Sequence, residues 1–598
     1  MKRLKAVSES VVVEVITMKG LRVLFSFLAA GLFVLASGEV LCCIAADYSE
    51  GALKSPGFQI DQYDFGRTSY YPFHTKVPIP KDQPFTLRWE YESELGLTAR
   101  SGDVDGDGVV DLVVGDSGWI RIFDGSGTQT NSFFTGQSLG ILADWEGDGR
   151  LEILTWGQIG STGQIAVWDC EGATKAVFQT DITPQARGGT AVVPEGILDV
   201  DGDGAPELIA SKHAGYALQP RGIVVFDCNS RRELWYYSVG PDPWRIACID
   251  LGGRPGREIL FSALGPCNNS VGADGTIDMK PYTWCLEGAD GTLLWRNEYQ
   301  GSCFVDTALG VCDLEGDGTI EVVATSFSHG WHPWDGPLGQ VCLLDPLSGT
   351  VSAQRDFGTA AALAAIGDLD GDGVAEIIVH VKNGAEEVSS VAALDTKLQT
   401  VGSFDLPGSV FDWRNWTVTD LDGDGTLEVL AEGVDVATKL ASLYVLDSEL
   451  DLLWRIDPDP PVGYFSFFVS DLDGDEILEI VLVAGTKVSV YQGASPPVRN
   501  KVNVFVGDAN ADRAIDVADA VATLSYLFGG APEPPCLAAL DTNADHSVNI
   551  ADSIQTLSYL FGGGVLFGPD GVPLQSVEIG CMPWDQHSVT LPCEIPCD

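Results

Sequence analysis

A nine-residue acidic turn recurs along the chain, and its period constrains the fold more than any other feature. It first reads "DVDGDGVVD" from Asp103. It returns as "DWEGDGRLE" from Asp144, "DVDGDGAPE" from Asp199, "DLEGDGTIE" from Asp313, "DLDGDGVAE" from Asp368, "DLDGDGTLE" from Asp420 and "DLDGDEILE" from Asp471. An eighth copy, "DLGGRPGRE" from Asp250, keeps the first and last acids and replaces the middle pair with Gly252 and Arg254. Successive copies start 41 to 63 residues apart, a period that marks a propeller or a solenoid.

The remainder of each period repeats too. A short apolar strand such as "LVVG" or "LIAS" follows the turn. A variable loop comes next, then a strand ending in Asp, as in "IVVFD" and "VCLLD", then a segment often carrying Leu-Trp, as in "LLWRNEY". Four short strands joined by Gly and Asp turns make a propeller blade. At 598 residues the chain is too long for one ordinary core, and a ring of blades distributes it; 69 glycines and only four methionines suit a turn-rich β-protein. The last unit ends at "VSVYQG" without a fourth strand, and "TLRWEYES", residues 86–93, has the character of the missing one. The expectation is a mainly β chain with an eight-bladed β-propeller over residues 85–493, closed by its N-terminal strand. Seven blades follow if the Asp250 unit does not form.

In such a turn the side chains at positions one, three and five converge, the carbonyl of position seven joins them, and position nine closes the shell. Hard oxygen donors in that number favour Ca2+. In the first copy these are Asp103, Asp105, Asp107, the carbonyl of Val109, and Asp111. The corresponding acids are Asp144, Glu146, Asp148 and Glu152; Asp199, Asp201, Asp203 and Glu207; and Asp313, Glu315, Asp317 and Glu321. They continue with Asp368, Asp370, Asp372 and Glu376; Asp420, Asp422, Asp424 and Glu428; and Asp471, Asp473, Asp475 and Glu479. Neighbouring carboxylates repel by about 1 kcal/mol per pair even under water-like screening, so a loop of four needs a cation. In the Asp250 copy Arg254 supplies positive charge internally, and no metal is expected there. Glu476, in place of glycine, weakens the Asp471 site.

These turns resemble the FG-GAP or VCBS repeat family, whose members include the integrin α-subunit propellers. The resemblance covers some 400 residues. It implies structural calcium loops on the face opposite the one commonly used for binding, and it says little about ligand. The Trp-bearing fourth segments are also similar to those of quinoprotein dehydrogenase propellers, whose vicinal cysteine pair is absent after the export segment.

After "GASPPVRNK" the pattern changes to two twelve-residue loops, each followed by a helix: "DANADRAIDVAD" from Asp508 with "AVATLSYLFGG", and "DTNADHSVNIAD" from Asp541 with "SIQTLSYLFGG". Their expected Ca2+ ligands are Asp508, Asn510, Asp512, Asp516 and Asp519, then Asp541, Asn543, Asp545, Asn549 and Asp552. The Leu-x-x-Leu spacing predicts the buried face of each helix. Arg513 and His546 stand where glycine is common. Duplication at a 33-residue spacing, with Asp at position twelve, makes this module similar to a type I dockerin. That resemblance implies a docking domain for a cohesin-like or other cell-surface partner.

On the propeller face away from the acidic turns, three connections lengthen: "SKHAGYALQPRG", "GPCNNSVGADGTIDMKPYTW" and "SFSHGWHPWDGPLG". They bring His213, Tyr216, Tyr282, Trp284, His329, Trp331, His332 and Trp334, with Arg221, Lys280 and Asp335; "FDWRNW" adds Trp413 and Trp416. Aromatic rings beside hydrogen-bonding groups suit sugars or a protein surface, and the same tryptophans equally suit packing at the propeller mouth. No pair of carboxylates stands out among 85 acids as catalytic. Three functions stay open: a non-enzymatic glycan- or protein-binding module, a polysaccharide lyase or glycoside hydrolase, and a structural surface-assembly protein.

The formal charge of −51 excludes nucleic acid as a natural partner. Lys19 and Arg22, an apolar run from Leu21 to Ala36, and Ala45 and Ala46 read as an export signal over residues 1–46, with Met18 an alternative start. The run is short of the roughly 20 residues a spanning helix needs, so no membrane span is expected after cleavage, and the protein should be secreted or cell-surface. Glu39-Val40-Leu41 before Cys42 and Cys43 lacks the small residues of a lipoprotein signal. Oxidising conditions then allow disulfides, for which Cys170 with Cys228, Cys267 with Cys285, Cys593 with Cys597 and Cys536 with Cys581 are the candidates. The domains expected are a signal (1–46), an extension (47–84), the propeller (85–493), a linker (494–502), the dockerin-like module (503–564) and a tail (565–598).

Overall fold

The computed structural model describes Thr75, Ile79, and residues 85–493 apart from 186–188, 215–217, 253, 302–304, 329–338, 384–387, 407–415 and 436. It also describes residues 501–567 apart from 533, 535, 545–546 and 563, together with Leu574 and Met582–Asp585. Of residues 1–46 only Val7–Ser8 and Val11–Val12 are described, two short strands paired with each other.

Eight four-stranded antiparallel sheets follow one another along the chain. Blade 1 is built from Leu97–Gly102, Asp111–Asp116, Trp119–Phe123 and Gln129–Phe134. Blades 2 to 7 repeat the pattern, starting at Ser138, Ala191, Asp242, Val305, Ala361 and Thr417, so the Asp250 unit forms a full blade. Blade 8 takes Ser466–Ser470, Glu479–Ala484 and Lys487–Gln492 from its own repeat, and its outermost strand is Thr86–Glu92. That strand runs antiparallel to the third, from Thr86 opposite Gln492 to Glu92 opposite Lys487. The first and last repeats are thereby joined through backbone hydrogen bonds, and the ring has no open edge at the seam.

The core is divided into layers between blades. Val104, Ile120, Leu142 and Ile153 pack between blades 1 and 2; Phe178, Val192 and Phe226 between blades 2 and 3. Similar layers continue around the ring to Leu112, Val114, Leu472 and Val481, which pack blade 1 against blade 8. Strands inside a blade touch a neighbour on both sides, which is why Asp111–Asp116 and Ala361–Gly367 are buried throughout. Outer strands such as Val351–Asp356 alternate with solvent.

The tryptophans of the fourth strands link blades. Trp295 of blade 4 donates Nε1–H to the carbonyl of Pro346 in blade 5 at 2.7 Å, and its ring lies where a Cβ on Gly349 would be, 2.7 Å from it. Trp235 meets Gly291 and the Gly288 carbonyl in the same way, and Trp89 meets Gly127 and the Gly125 carbonyl. Only glycine allows the ring this approach.

Two of the disulfide expectations are corrected. Cys170, Cys228 and Cys285 are free. Cys170 belongs to the layer between blades 1 and 2 and Cys228 to that between blades 2 and 3, because equal positions on successive blades are separated by a sheet. Cys285 is buried in the layer between blades 4 and 5. Cys267 and Cys536 are each disulfide-bonded. Cys581, Cys593 and Cys597 lie outside the described residues.

Residues from Ser495 onward form a second compact unit. It contains helix α1 (Val517–Phe528), helix α2 (Ile550–Leu557) and a pairing of Lys501–Val504 with Met582–Asp585.

Candidate metal sites

Every acidic turn joins the first strand of a blade to the second, and one contact recurs in all eight. The carboxylate at position nine accepts the backbone N–H of position two: Asp111 from Val104 at 3.2 Å, Glu152 from Trp145 at 2.8 Å, Glu207 from Val200 at 3.0 Å and Glu258 from Leu251 at 3.0 Å. Glu321, Glu376, Glu428 and Glu479 do the same with Leu314, Leu369, Leu421 and Leu472. The carboxylate at position one gathers backbone N–H groups from across the turn, as Asp103 does from Gly106 at 2.6 Å and Gly108 at 2.9 Å. Outside the Asp250 turn, position six takes left-handed backbone, with φ +86° at Gly108 and +66° even at Glu476.

These bonds use one oxygen of the position-nine acid and direct the other toward its neighbours. Three carboxylate oxygens come within 4.8 Å of one another in five turns: Asp103, Asp105 and Asp107; Asp199, Asp201 and Asp203; Asp368, Asp370 and Glu376; Asp420, Asp422 and Glu428; Asp471, Asp473 and Glu479. These groups can hold a metal ion. Asp148, Asp317, Asp372, Asp424 and Asp475 each sit at position five of their turn and accept the N–H of position seven. Among the described residues no such group forms in blades 2 and 5, where position three is Glu146 or Glu315.

Burial sets the electrostatics. Desolvation, reinforced by neighbouring aspartates, pushes Asp111 and Glu207 up to about 7 and Glu376 to about 6. Glu428 and Glu479 rise to about 9 for the same reasons. Blade 7 is the most enclosed because the N-terminal extension crosses it. Thr75 and Ile79 donate backbone N–H to the carbonyls of Asp420 and Asp422 at 2.9 and 2.8 Å, and Ile79 joins the core between blades 7 and 8. Glu428 is 0 % exposed. Its Oε2 accepts from Leu421 and Asp422, while its buried Oε1 has no hydrogen-bond partner among the described residues. An anionic carboxylate cannot remain in that position without a compensating positive charge.

Among the described residues, basic side chains pair with the acids of three turns. Arg254 lies 3.7 Å from Glu258 and 3.1 Å from Glu287 in blade 4. Lys175 reaches Glu146 at 2.6 Å and Glu152 at 3.4 Å in blade 2. Arg88, from the closing strand, lies 2.7 Å from Asp473 and 3.7 Å from Glu479 in blade 8. Lys175 and Arg88 were missed by motif reading because they sit far along the sequence from the turns they serve.

In the second unit the two loops behave alike. Asp519 accepts backbone N–H from Asn510 at 3.2 Å and Asp516 at 2.8 Å; Asp552 accepts from Thr542 at 3.0 Å and Asn549 at 2.8 Å. Asp508 accepts from Asp512 and Arg513, the latter at φ +71°. Asp516 and Asn549 are also the helix N-caps, each in a capping box. Asp541 is buried and Asn543 half-buried; Asp545 and His546 fall outside the described residues. The buried helix faces differ from the Leu-x-x-Leu expectation. They are Asp519, Ala520 and Thr523, and Asp552, Ser553 and Thr556, because the inward acid at position twelve sets the helix rotation. Val517, Val521 and Phe528 are left exposed on α1, as are Ile550 and Ile554 on α2 and Phe561 just beyond it.

On the opposite propeller face, several expected ligand contacts are core. Trp284 is buried and stacks on Phe261 with centroids 4.7 Å apart; Tyr282 is buried beside it. The third strand of blade 4 starts at Tyr282, which draws both rings into the sheet packing. Trp416 is buried against His380. Arg221 is fully buried between Asp242 and Asp278, each at 3.2 Å. His213 stays partly exposed, 2.7 Å from the Ser211 hydroxyl, which also contacts Glu195. Lys280 pairs with Glu298. Tyr216, His329, Trp331, His332, Trp334, Asp335 and Trp413 lie outside the described residues.

No family model matches the chain, and no curated protein matches it. Among solved structures it is similar to the quinohemoprotein alcohol dehydrogenase ADHIIG of Pseudomonas putida HK5, at 11% identity and a TM-score of 0.51, over 81% of this chain and 88% of that one. The V. cholerae biofilm matrix protein Bap1 matches at 14% identity and a TM-score of 0.34, over 70% and 93% of the two chains. A rhamnogalacturonan lyase of Bacillus licheniformis matches at 15% and 0.35, over 71% and 79%. At such identities the likeness is one of fold, and the chain is an eight-bladed β-propeller.

Proposed function

We propose that this chain is an exported, calcium-stabilised propeller that acts as a non-enzymatic recognition module for a glycan or protein and is tethered through a dockerin-like C-terminal pair. The observation that carries the calcium reading is Glu428, a fully buried carboxylate with an unbonded oxygen beside Asp420 and Asp422. A divalent cation with a preference for several hard oxygens resolves that arrangement, and calcium is the one best matched to it. The turns of blades 1, 3, 6 and 7 are its principal sites in the propeller. Disulfide-bonded Cys267 and Cys536 support export to an oxidising compartment.

Because the acidic turns recur around the ring, their role is to hold the ring together, and recognition falls to the connections on the other face, which differ between blades. The tether is supported by duplicated exposed apolar positions 33 residues apart, Val517 with Ile550, Val521 with Ile554 and Phe528 with Phe561, which suit a cohesin-like protein surface. The test is incubation of the calcium-loaded chain with a panel of polysaccharides, measuring retention and release of reducing or unsaturated ends. Retention without release is expected; release of new ends would make the chain an enzyme and overturn the reading.

A further inference from the structure

The outer strand of each blade bulges at one register. In blade 1, Ile122 pairs with Asn131 and Phe123 with Gln129, which leaves Thr130 as the extra residue. The same break occurs between the third and fourth strands of every other blade. The extra residue is Lys175 in blade 2 and Arg88 in blade 8; in blades 3 to 7 it is Leu234, Leu294, Ser352, Val401 and Leu453. A bulge re-aims the side chain it carries. In blades 2 and 8 it aims at the acidic turn of its own blade, as the contacts of Lys175 with Glu146 and Glu152, and of Arg88 with Asp473 and Glu479, show. Leu294 and Leu251, the second residue of the blade 4 turn, pack against the same core layer between blades 4 and 5.

We propose that this bulge position decides which turns take calcium: a lysine or arginine there fills the turn with an internal cation, and a neutral residue leaves it to the metal. Blades 2 and 8 are therefore metal-free, and blade 4 reaches the same state through Arg254 inside the turn itself. The physical ground is competition, since a tethered ammonium or guanidinium among the carboxylates excludes a second cation by repulsion and occupancy. Blade 8 is the clearest case, because its acids converge as they do in blade 7 and yet Arg88 sits 2.7 Å from Asp473. The inference rests on the calcium reading above and adds to it a rule for each blade.

Native mass spectrometry of the full chain, equilibrated with calcium and desalted, counts the ions held. Lys175→Met and Arg88→Met are each expected to hold one calcium more than the wild type, and Lys175→Arg the same number. Val401→Lys, at the exposed bulge position of blade 6, should hold one fewer. A wild type without calcium overturns the underlying reading. A calcium-bound wild type whose count is unmoved by Lys175→Met and Val401→Lys overturns this inference alone.

Discussion

At the scale of the residue, the position-nine acid carries both structure and charge. One oxygen closes the turn on the backbone and the other is held where water is scarce. The sign of the pH dependence follows. Glu428 and Glu479 rise from an ordinary 4.5 to about 9 when no metal is bound, so the folded state holds more protons than the unfolded chain between those values. Metal-free protein should lose stability steadily as pH rises from about 4.5 through about 9, and calcium should flatten the blade 7 share of that profile by stabilising ionised Glu428. Thermal melts across that range in chelator and in calcium check it. Glu428→Gln removes the charge while keeping the shape: the metal-free melt should hold or rise, and the upward shift on adding calcium should shrink. Calorimetry of the variant, with and without calcium, measures both. The acids were legible in the sequence because ligand spacing is local. Lys175 and Arg88 were not, because a bulge and a ring closure bring them to their turns.

At the scale of the element, the repeat predicts strands well where pattern and packing agree. The turn, the two central strands and the Leu-Trp outer strand all appear where periodicity puts them, including the degenerate Asp250 unit. The aromatic content of the long connections misled: Tyr282 and Trp284 belong to a strand, and composition alone does not separate a ring facing solvent from one facing the next blade. The disulfide pairing of equivalent cysteines failed for a related reason, since repetition along the chain means separation by a sheet in space. The fourth-strand tryptophans give a test of blade coupling. Trp295→Ala removes a buried ring and its bond to Pro346, and should cost about 3 kcal/mol or more in the calcium-loaded chain. Denaturant unfolding measures that loss; the upward shift on adding calcium should survive, because the ring packs in the core layer between blades 4 and 5.

At the scale of the whole molecule, closure and charge are the two conditions for the fold. The strand Thr86–Glu92 removes the edge that Lys487–Gln492 would otherwise present. A chain lacking residues 1–93 should melt lower and self-associate, as light scattering and calorimetry would show. The charge condition is more demanding: a molecule with a formal charge of −51 gathers many of its acids into turns around one ring, where neighbouring carboxylates repel one another. The central claim is therefore that calcium holds the propeller together. Scanning calorimetry of chelator-treated chain near neutral pH, before and after adding calcium, tests it most directly. The account predicts a large upward shift in Tm accompanied by bound calcium in elemental analysis; an unchanged Tm with no bound metal would contradict it.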